Sequence, residues 1–295
     1  MPNGNERARI RDHRSGTGPA EPTANDTVVG DWAELNDRLF AGAWDEGLRR
    51  FRSRFAYRGM PDRKYDLTTS LMRLGGVYDR VEAHLLRNFT KYARRTQLPD
   101  ATPWHWLALA QHHGLPTRML DWTFSPYVAL HFATTIERDA EIAADAIVWI
   151  VDYVRTNTGV PDGLQAILRE EDADVFTSEM LMREANSLEA FDRLAPEPFV
   201  IFFEPPSLDD RIVNQAALFS LMSSPSARLD HWLADRPAVY RRIIIPAALK
   251  REVRDKLDQA NITERVLLPG LDGLCRWMRR YYGPPVSGAG PGGED

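Results

Sequence analysis

One segment of the chain concentrates residue types that can bind or convert a ligand. Residues 111–123 include two histidines, a glutamine, an arginine, an aspartate and a tryptophan. A predicted helix ends near Gly114, so these side chains surround a helix end and a tight turn, where polar groups can converge on a ligand. Either histidine can act as a general base, because its ordinary pKa is about 6.5. The candidates are Gln111, His112, His113, Thr117, Arg118, Asp121 and Trp122.

A second candidate segment lies upstream, where Tyr57, Arg58 and Gly59 end an arginine- and phenylalanine-rich stretch. An arginine can hold a phosphate or a carboxylate through two parallel hydrogen bonds. A neighbouring glycine lets a ligand approach the backbone closely. We therefore expect Arg58 to contact a ligand.

Several of these residues also have structural interpretations. Arg118 and Asp121 can form a partly buried ion pair that fixes the turn, and Trp122 can belong to the core. Gln215 can satisfy buried backbone groups near the start of a strand. The two histidines and Asp121 could together ligate zinc, but no second Cys/His cluster accompanies them, so we expect no metal site.

Apolar patterns predict the elements that position these segments. The predicted helices span 78–95, 103–113, a segment that begins with the Ser125-Pro126 cap, and two stretches between 247 and 282. The predicted strands are β-branched or aromatic runs at 146–152, 199–204, 217–222 and 242–245. Because helices come first and strands later, we expect an α+β fold with a mixed or antiparallel central sheet and flanking helices.

Composition limits the classes of protein to which the chain can belong. Its 295 residues carry 37 basic and 42 acidic side chains, a net charge of −5, which disfavours a dedicated duplex-DNA or anionic-membrane binder. Its apolar runs are shorter than the roughly 20 residues of a membrane-spanning helix. The N-terminus lacks the apolar region of a secretory signal, and Cys275 is the single cysteine, so we expect a cytoplasmic protein without membrane contact.

The same patterns predict one domain between two tails. Residues 1–29 and 283–295 are rich in Gly, Pro and polar residues and are predicted to be disordered. Residues 30–282 are predicted to form a single domain, in which about 155–195 could be a helical insertion.

The motifs resemble those of the FRG domain, a family named for its Phe/Tyr-Arg-Gly motif. The resemblance covers about residues 55–280. It rests on Tyr57-Arg58-Gly59, QHHGLPTR at 111–118, LDWT at 120–123, Ser125-Pro126, Ala129-Leu130, Phe132-Ala133, Gln215, Leu218-Phe219 and LPGLDGL at 268–274.

The layout is also similar, more weakly, to that of ADP-ribosyltransferases of the Arg-Ser-Glu type. This second resemblance implies an NAD-binding cleft in which Arg58 holds the pyrophosphate and Trp122 or Tyr57 stacks on nicotinamide or ribose. Gln215 occupies the place of the catalytic glutamate and would bind a ribose hydroxyl. A neutral glutamine cannot stabilise the positive charge that develops as nicotinamide leaves, so that role would fall to Asp121 or to Glu204, at the end of a predicted strand.

These resemblances imply a protein that binds NAD or a related nucleotide and cleaves or transfers ADP-ribose, as a toxin or an anti-phage defence effector. A protein or nucleic-acid acceptor and an immunity or regulatory partner would accompany it. The alternatives are a non-catalytic module that senses a nucleotide or nucleic acid, and a metal-dependent hydrolase. The expected catalytic residues are Arg58, Asp121, Gln215 and His113. The expected ligand-binding residues are Tyr57, Arg58, Gly59, Gln111, His112, Thr117, Arg118, Trp122 and Ser125.

Overall fold

The computed structural model describes residues 23–93, 102–207 and 209–283. Within these ranges the strands are β1 (Asp26–Val28), β2 (Trp44–Asp45), β3 (Arg50–Phe51), β4 (Phe55–Met60), β5 (Met119–Thr123), β6 (Ala146–Asp152), β7 (Val200–Phe203), β8 (Ala217–Met222) and β9 (Tyr240–Ile245). The α-helices are α1 (Trp32–Phe40), α2 (Tyr78–Ala93), α3 (Pro103–His112), α4 (Pro126–Thr134), α5 (Tyr153–Thr156), α6 (Asp162–Glu170), α7 (Ser178–Glu184), α8 (Leu188–Asp192), α9 (Asp210–Asn214), α10 (Leu229–Ala234), α11 (Lys250–Gln259), α12 (Glu264–Leu267) and α13 (Leu271–Tyr281). Short 3-10 helices occur at Met72–Leu74, Asp139–Glu141, Asn157–Gly159, Pro237–Val239 and Ala247–Leu249.

A seven-stranded sheet organises the fold, with the strand order β1-β9-β6-β4-β5-β8-β7. The β1–β9 pair is parallel and the other neighbours are antiparallel. Strands β2 and β3 form a separate antiparallel hairpin. The predicted α+β fold with a mixed sheet is confirmed.

Local signals in the sequence account for the elements around the candidate site. Thr102 caps α3 and Pro103 occupies its first turn, while Gly114 follows the helix with a φ of 80°, in the left-handed region that glycine tolerates. Ser125 caps α4 by accepting a hydrogen bond from the Val128 amide. The predicted strands at 146–152 and 217–222 appear with those bounds as β6 and β8.

Three clusters of buried apolar side chains hold helices against the sheet. One joins α1, α4 and α11 to β4, β6 and β9. A second joins α3, α6, α7 and α8 to β5, β7 and β8. A third packs α10 against residues of β4 to β8. Strand β4 contributes alternate residues to different clusters, since Ala56 and Met60 enter the third cluster whereas Phe55 and Tyr57 enter the first.

The N-terminal boundary differs from the prediction. Residues 26–28, which fall within the predicted tail 1–29, form the parallel edge strand β1. The Asp26 carboxylate anchors this strand by accepting hydrogen bonds from Arg242 Nε and Nη2 at 2.5 and 2.8 Å. Three paired residues and one ion pair suffice here, although the segment has no strand periodicity. Residues 1–22 and 284–295 lie outside the described residues. Within the described ranges, no helix has the length and apolar character needed to cross a membrane.

Helix α4 lies directly on β4 at Gly59. A Cβ atom at this position would be 1.8 Å from the carbonyl oxygen of Ala129 and 2.7 Å from the amide nitrogen of Ala133. Both contacts are with helix backbone, which cannot move aside as a side chain can. Gly59 is therefore required by the packing of a helix rather than by the approach of a ligand.

We predict that Gly59→Ala destabilises the protein by about 2 kcal/mol or more, because the added methyl forces α4 away from the sheet. Gly30→Ala is the matched control, since its Cβ would have Glu34 Oε2 as nearest neighbour, at 3.8 Å. Urea unfolding of both variants measures the difference. Equal stability of the two variants would contradict the packing argument.

Candidate functional site

A pocket of about 190 Å³ opens where β4, β5 and the end of α3 meet, and we refer to it as the arginine pocket. Its wall combines two guanidinium groups, one carboxylate, one amide and a hydroxyl with a few apolar groups. It is lined by Arg58, Ser70, Arg73, Gln111, Gly114, Leu115, Met119, Leu120 and Asp121.

Arg58 is the half-buried cation of this pocket. Its Nη1 donates a hydrogen bond to the backbone carbonyl oxygen of Asp121 at 2.5 Å, and its buried Nε has no hydrogen-bond partner. Burial lowers the pKa of the Arg58 guanidinium; the Asp121 carboxylate opposes this shift and the positive charge of Arg73 adds to it. Arg58 therefore retains hydrogen-bonding capacity that the protein does not use.

Arg73 supplies a second, exposed cation from the 3-10 helix that follows Leu71. Its Nη1 donates to the carbonyl oxygen of Thr68 at 2.6 Å. Within the described ranges, neither Arg58 nor Arg73 forms an ion pair. The pocket thus holds two cations and the Asp121 carboxylate, with neither cation in direct contact with a carboxylate in these ranges. Sequence reasoning missed Arg73, because it lies outside every recognisable motif.

A chain of hydrogen bonds fixes the Asp121 carboxylate at the rim of the pocket. Gln111 Nε2 donates to both carboxylate oxygens of Asp121, at 3.0 and 3.1 Å. The amide oxygen of Gln111 accepts from Thr117 Oγ1 at 2.5 Å, and the Thr117 amide donates to Ser70 Oγ at 3.0 Å. Gln111 therefore orients an exposed anion, and Thr117 orients Gln111.

His112 faces a different and larger cavity of about 470 Å³, which we call the histidine pocket. Its Nε2 lies within ion-pair distance of the Asp209 carboxylate. Asp209 also caps α9, accepting from the amides of Arg211 and Ile212. Burial lowers the pKa of His112, while the Asp209 charge opposes the shift. The cavity is lined by His112, Asp209, Asp210, Arg211, Leu268, Pro269, Asp272 and Arg276.

Gln215 lines neither pocket. Its Nε2 donates to the carbonyl oxygen of Leu267 at 2.8 Å, and its own carbonyl oxygen accepts from Thr123 Oγ1 at 2.6 Å. It therefore ties the turn before β8 to α12, next to the Leu268-Pro269 wall of the histidine pocket. This matches the structural interpretation of Gln215 rather than a ribose contact.

The two predicted stacking platforms belong to the core. Tyr57 is 1% exposed and donates its hydroxyl to the carbonyl oxygen of Leu39 at 3.2 Å. Trp122 is 3% exposed and donates Nε1 to Ser220 Oγ at 2.8 Å. Neither ring offers a face to a ligand, so their predicted stacking roles are wrong. Ser125 contributes its hydroxyl to the cap of α4 rather than to either pocket.

Arg118 is buried in an ion-pair network. It pairs with Glu82 of α2 and Asp192 of α8, each at 2.5 Å. A structural role was one interpretation of Arg118, but the expected partner, Asp121, is wrong, because Arg118 bonds Glu82 and Asp192 whereas Asp121 accepts from Gln111.

His113 is exposed and contacts the ring of His112 edge to face, with the centroids 5.1 Å apart. It lines neither pocket. Among the residues that the structure describes, no three His, Cys, Asp or Glu side chains converge to hold a metal ion. The set of two histidines and Asp121 is dispersed, because Asp121 bonds Gln111 while His112 bonds Asp209. His112 and Asp121 therefore do not meet at one site.

We predict that Asp209→Asn lowers the pKa of His112 further, because the variant removes the negative charge that favours the protonated ring. Titration of the His112 ring by NMR measures this, with the resonance assigned by its loss in His112→Gln. An unchanged pKa of His112 in the Asp209 variant would show that the contact does not form.

Comparison with known proteins gives one match. Residues 53–141 match the FRG domain family model, whereas no curated protein and no solved structure matches. The matched segment includes every residue that lines the arginine pocket but only His112 of the histidine pocket. Through residues 53–141, the chain carries an FRG domain.

Proposed function

We propose that the arginine pocket binds the phosphate group of a nucleotide or a closely related small ligand. The observation that carries the proposal is that Arg58 and Arg73 line one open pocket and neither is paired with a carboxylate in the described ranges. Buried cations usually have partners, and a guanidinium presents the donors that fit phosphate oxygens. A bound phosphate would supply the acceptor that the Arg58 Nε lacks.

The remaining pocket residues favour a sugar next to that phosphate. Asp121 presents an anionic acceptor, and Gln111 holds it in place. Such an acceptor suits hydroxyl donors. A volume of about 190 Å³ is below the roughly 300–1,000 Å³ of pockets that enclose drug-sized ligands. The pocket therefore suits a phosphate and part of a ribose, with the base outside it.

This geometry supports a binding module over an enclosed NAD cleft. Tyr57 and Trp122 are in the core and Gln215 bonds Leu267. Among the described residues that line the pocket, none is aromatic and could stack on nicotinamide. Recognition would depend on phosphate and sugar, with little discrimination between bases.

NAD cleavage is the second candidate, and the position of Asp121 favours it. This carboxylate lines the same pocket as Arg58 and could stabilise the positive charge that develops on the ribose, the role that Gln215 cannot fill. The bond between ribose C1′ and nicotinamide would break, water would add to C1′, and a proton would be released. Loss of NAD would suit a toxin or a defence effector.

We expect Arg73→Ala to weaken binding of ADP and AMP by about tenfold or more, since a hydrogen bond to a charged group contributes roughly 1.5–3 kcal/mol. Isothermal titration calorimetry measures the affinities. Arg80→Ala is the matched control, because Arg80 is an exposed arginine near Arg73 in sequence that lines neither pocket. Adenosine, which has no phosphate, should bind equally to wild type and to Arg73→Ala. Equal nucleotide affinity for the two arginine variants would refute the proposed site.

Incubation with NAD separates the two candidates. The binding module predicts that NAD stays intact, with no nicotinamide released above a protein-free blank in chromatography. Nicotinamide release that persists in Arg80→Ala and falls at least a hundredfold in Asp121→Asn would establish cleavage instead. Release that is equal in both variants would point to a contaminating enzyme.

A further inference from the structure

The β2–β3 hairpin exposes an aromatic pair that no core cluster uses. Trp44 and Phe51 are directly opposite across the two strands, with ring centroids 5.3 Å apart in an edge-to-face arrangement. They are 45% and 63% exposed, and Leu48 in the connecting turn is 59% exposed. Large apolar side chains grouped at a surface mark interaction sites.

Positive charge is concentrated in the same part of the chain. Residues 43–52 contain three arginines and two acidic residues, a net charge of +1, although the whole chain has a net charge of −5. Arg49, Arg50 and Arg52 are exposed. Their side chains form no hydrogen bond, ion pair or ring contact with any residue in the described ranges. By contrast, Arg54 pairs with Asp152.

We propose that this hairpin, residues 43–52, binds single-stranded nucleic acid. Trp44 and Phe51 share one face of the hairpin, whereas Arg50 and Arg52 start from the other face. A flexible strand that wraps around the thin hairpin can stack unpaired bases on the two rings and bring its phosphates to the three unpaired guanidinium groups. Both contacts are insensitive to base identity, so the surface recognises a flexible polyanion with accessible bases rather than a sequence. A duplex can contact the arginines through its phosphates, but its bases are already stacked on one another and cannot stack on the two rings.

The turn of the hairpin argues against an anionic membrane as the occupant. Asp45 and Glu46 lie at the turn, and the Asp45 carboxylate accepts a hydrogen bond from the Leu48 amide at 2.8 Å. Insertion of this turn into a bilayer would remove two carboxylates from water, which is costly for unpaired charges, whereas a nucleic-acid strand beside the hairpin leaves both carboxylates hydrated. The apolar residues instead form a strand face along which an extended chain can lie.

This inference is independent of the proposed function, because no residue of the hairpin lines the arginine pocket. If the arginine pocket does not bind nucleotides, the proposal for the hairpin is unaffected. If the hairpin does not bind nucleic acid, the proposal for the arginine pocket is unaffected.

Fluorescence anisotropy with labelled oligo(dT) and oligo(rU) of about twelve nucleotides tests the proposal on the full chain. We expect saturable binding that weakens with salt. The slope of log K against log salt should be about −2, since each of three phosphate contacts contributes about −0.7. The matching blunt duplex should bind at least tenfold more weakly.

Two variants separate the contributions of charge and stacking. Arg50→Ala combined with Arg52→Ala should weaken binding at least tenfold and reduce the salt slope to about −0.7. Trp44→Ala should weaken binding about tenfold with the slope unchanged, because stacking involves no charge. Arg251→Ala, which removes an exposed arginine from α11, is the control and should bind like wild type. Thermal unfolding confirms that each variant is folded.

Absence of oligonucleotide binding would overturn the proposal. So would an affinity that is unchanged in the double arginine variant, or equal affinity for the duplex. Sedimentation with vesicles of phosphatidylcholine and phosphatidylserine tests whether the hairpin binds a membrane instead. Vesicle binding that requires Trp44 and Arg50, without oligonucleotide binding, would identify the hairpin as a membrane contact instead.

Discussion

The buried guanidinium of Arg118 joins parts of the chain that are far apart in sequence. It holds Glu82 of α2 and Asp192 of α8 against the start of β5. Burying charges costs several kcal/mol per ion, a cost that is recovered only when each charge is well partnered. Burial acts to lower the pKa of Arg118, and the two carboxylates outweigh it and raise the pKa. Thr117, the residue before it, donates its amide to Ser70 and positions the amide of Gln111 through its hydroxyl.

Arginines with structural and with ligand-binding environments differ in how their charge is compensated. Arg118 and Arg280 each bond two carboxylates, and Arg242 bonds Asp26. Arg58 and Arg73 bond only carbonyl oxygens. A carbonyl orients a guanidinium without neutralising it, so the lining of the arginine pocket has two cations and one carboxylate even though the chain as a whole is acidic. Local pairing, more than net charge, determines which anions such a protein can attract.

The sequence predicts where helices and strands lie better than it predicts the direction in which each side chain points. Strands β6 and β8 follow from short runs of mostly apolar residues, and α4 from its Ser-Pro cap, because these signals are local. Tyr57 and Arg58 show the limit: they are adjacent on one strand, so they point to opposite faces, and residue type alone does not tell which face is covered. Gly59 was recognised as a close-approach position, but the approaching group is the backbone of α4. Only the folded chain identifies that neighbour.

The end of α3 shows why a dense motif need not be a single site. Gln111 and His112 are consecutive, and successive side chains on a helix diverge by about 100°. Gln111 therefore enters the arginine pocket and His112 the histidine pocket. The FRG match covers the whole lining of the first pocket, whereas most of the second is built from residues 209–276. The last turn of α3 therefore separates the two cavities, with adjacent backbone positions contributing one side chain to each.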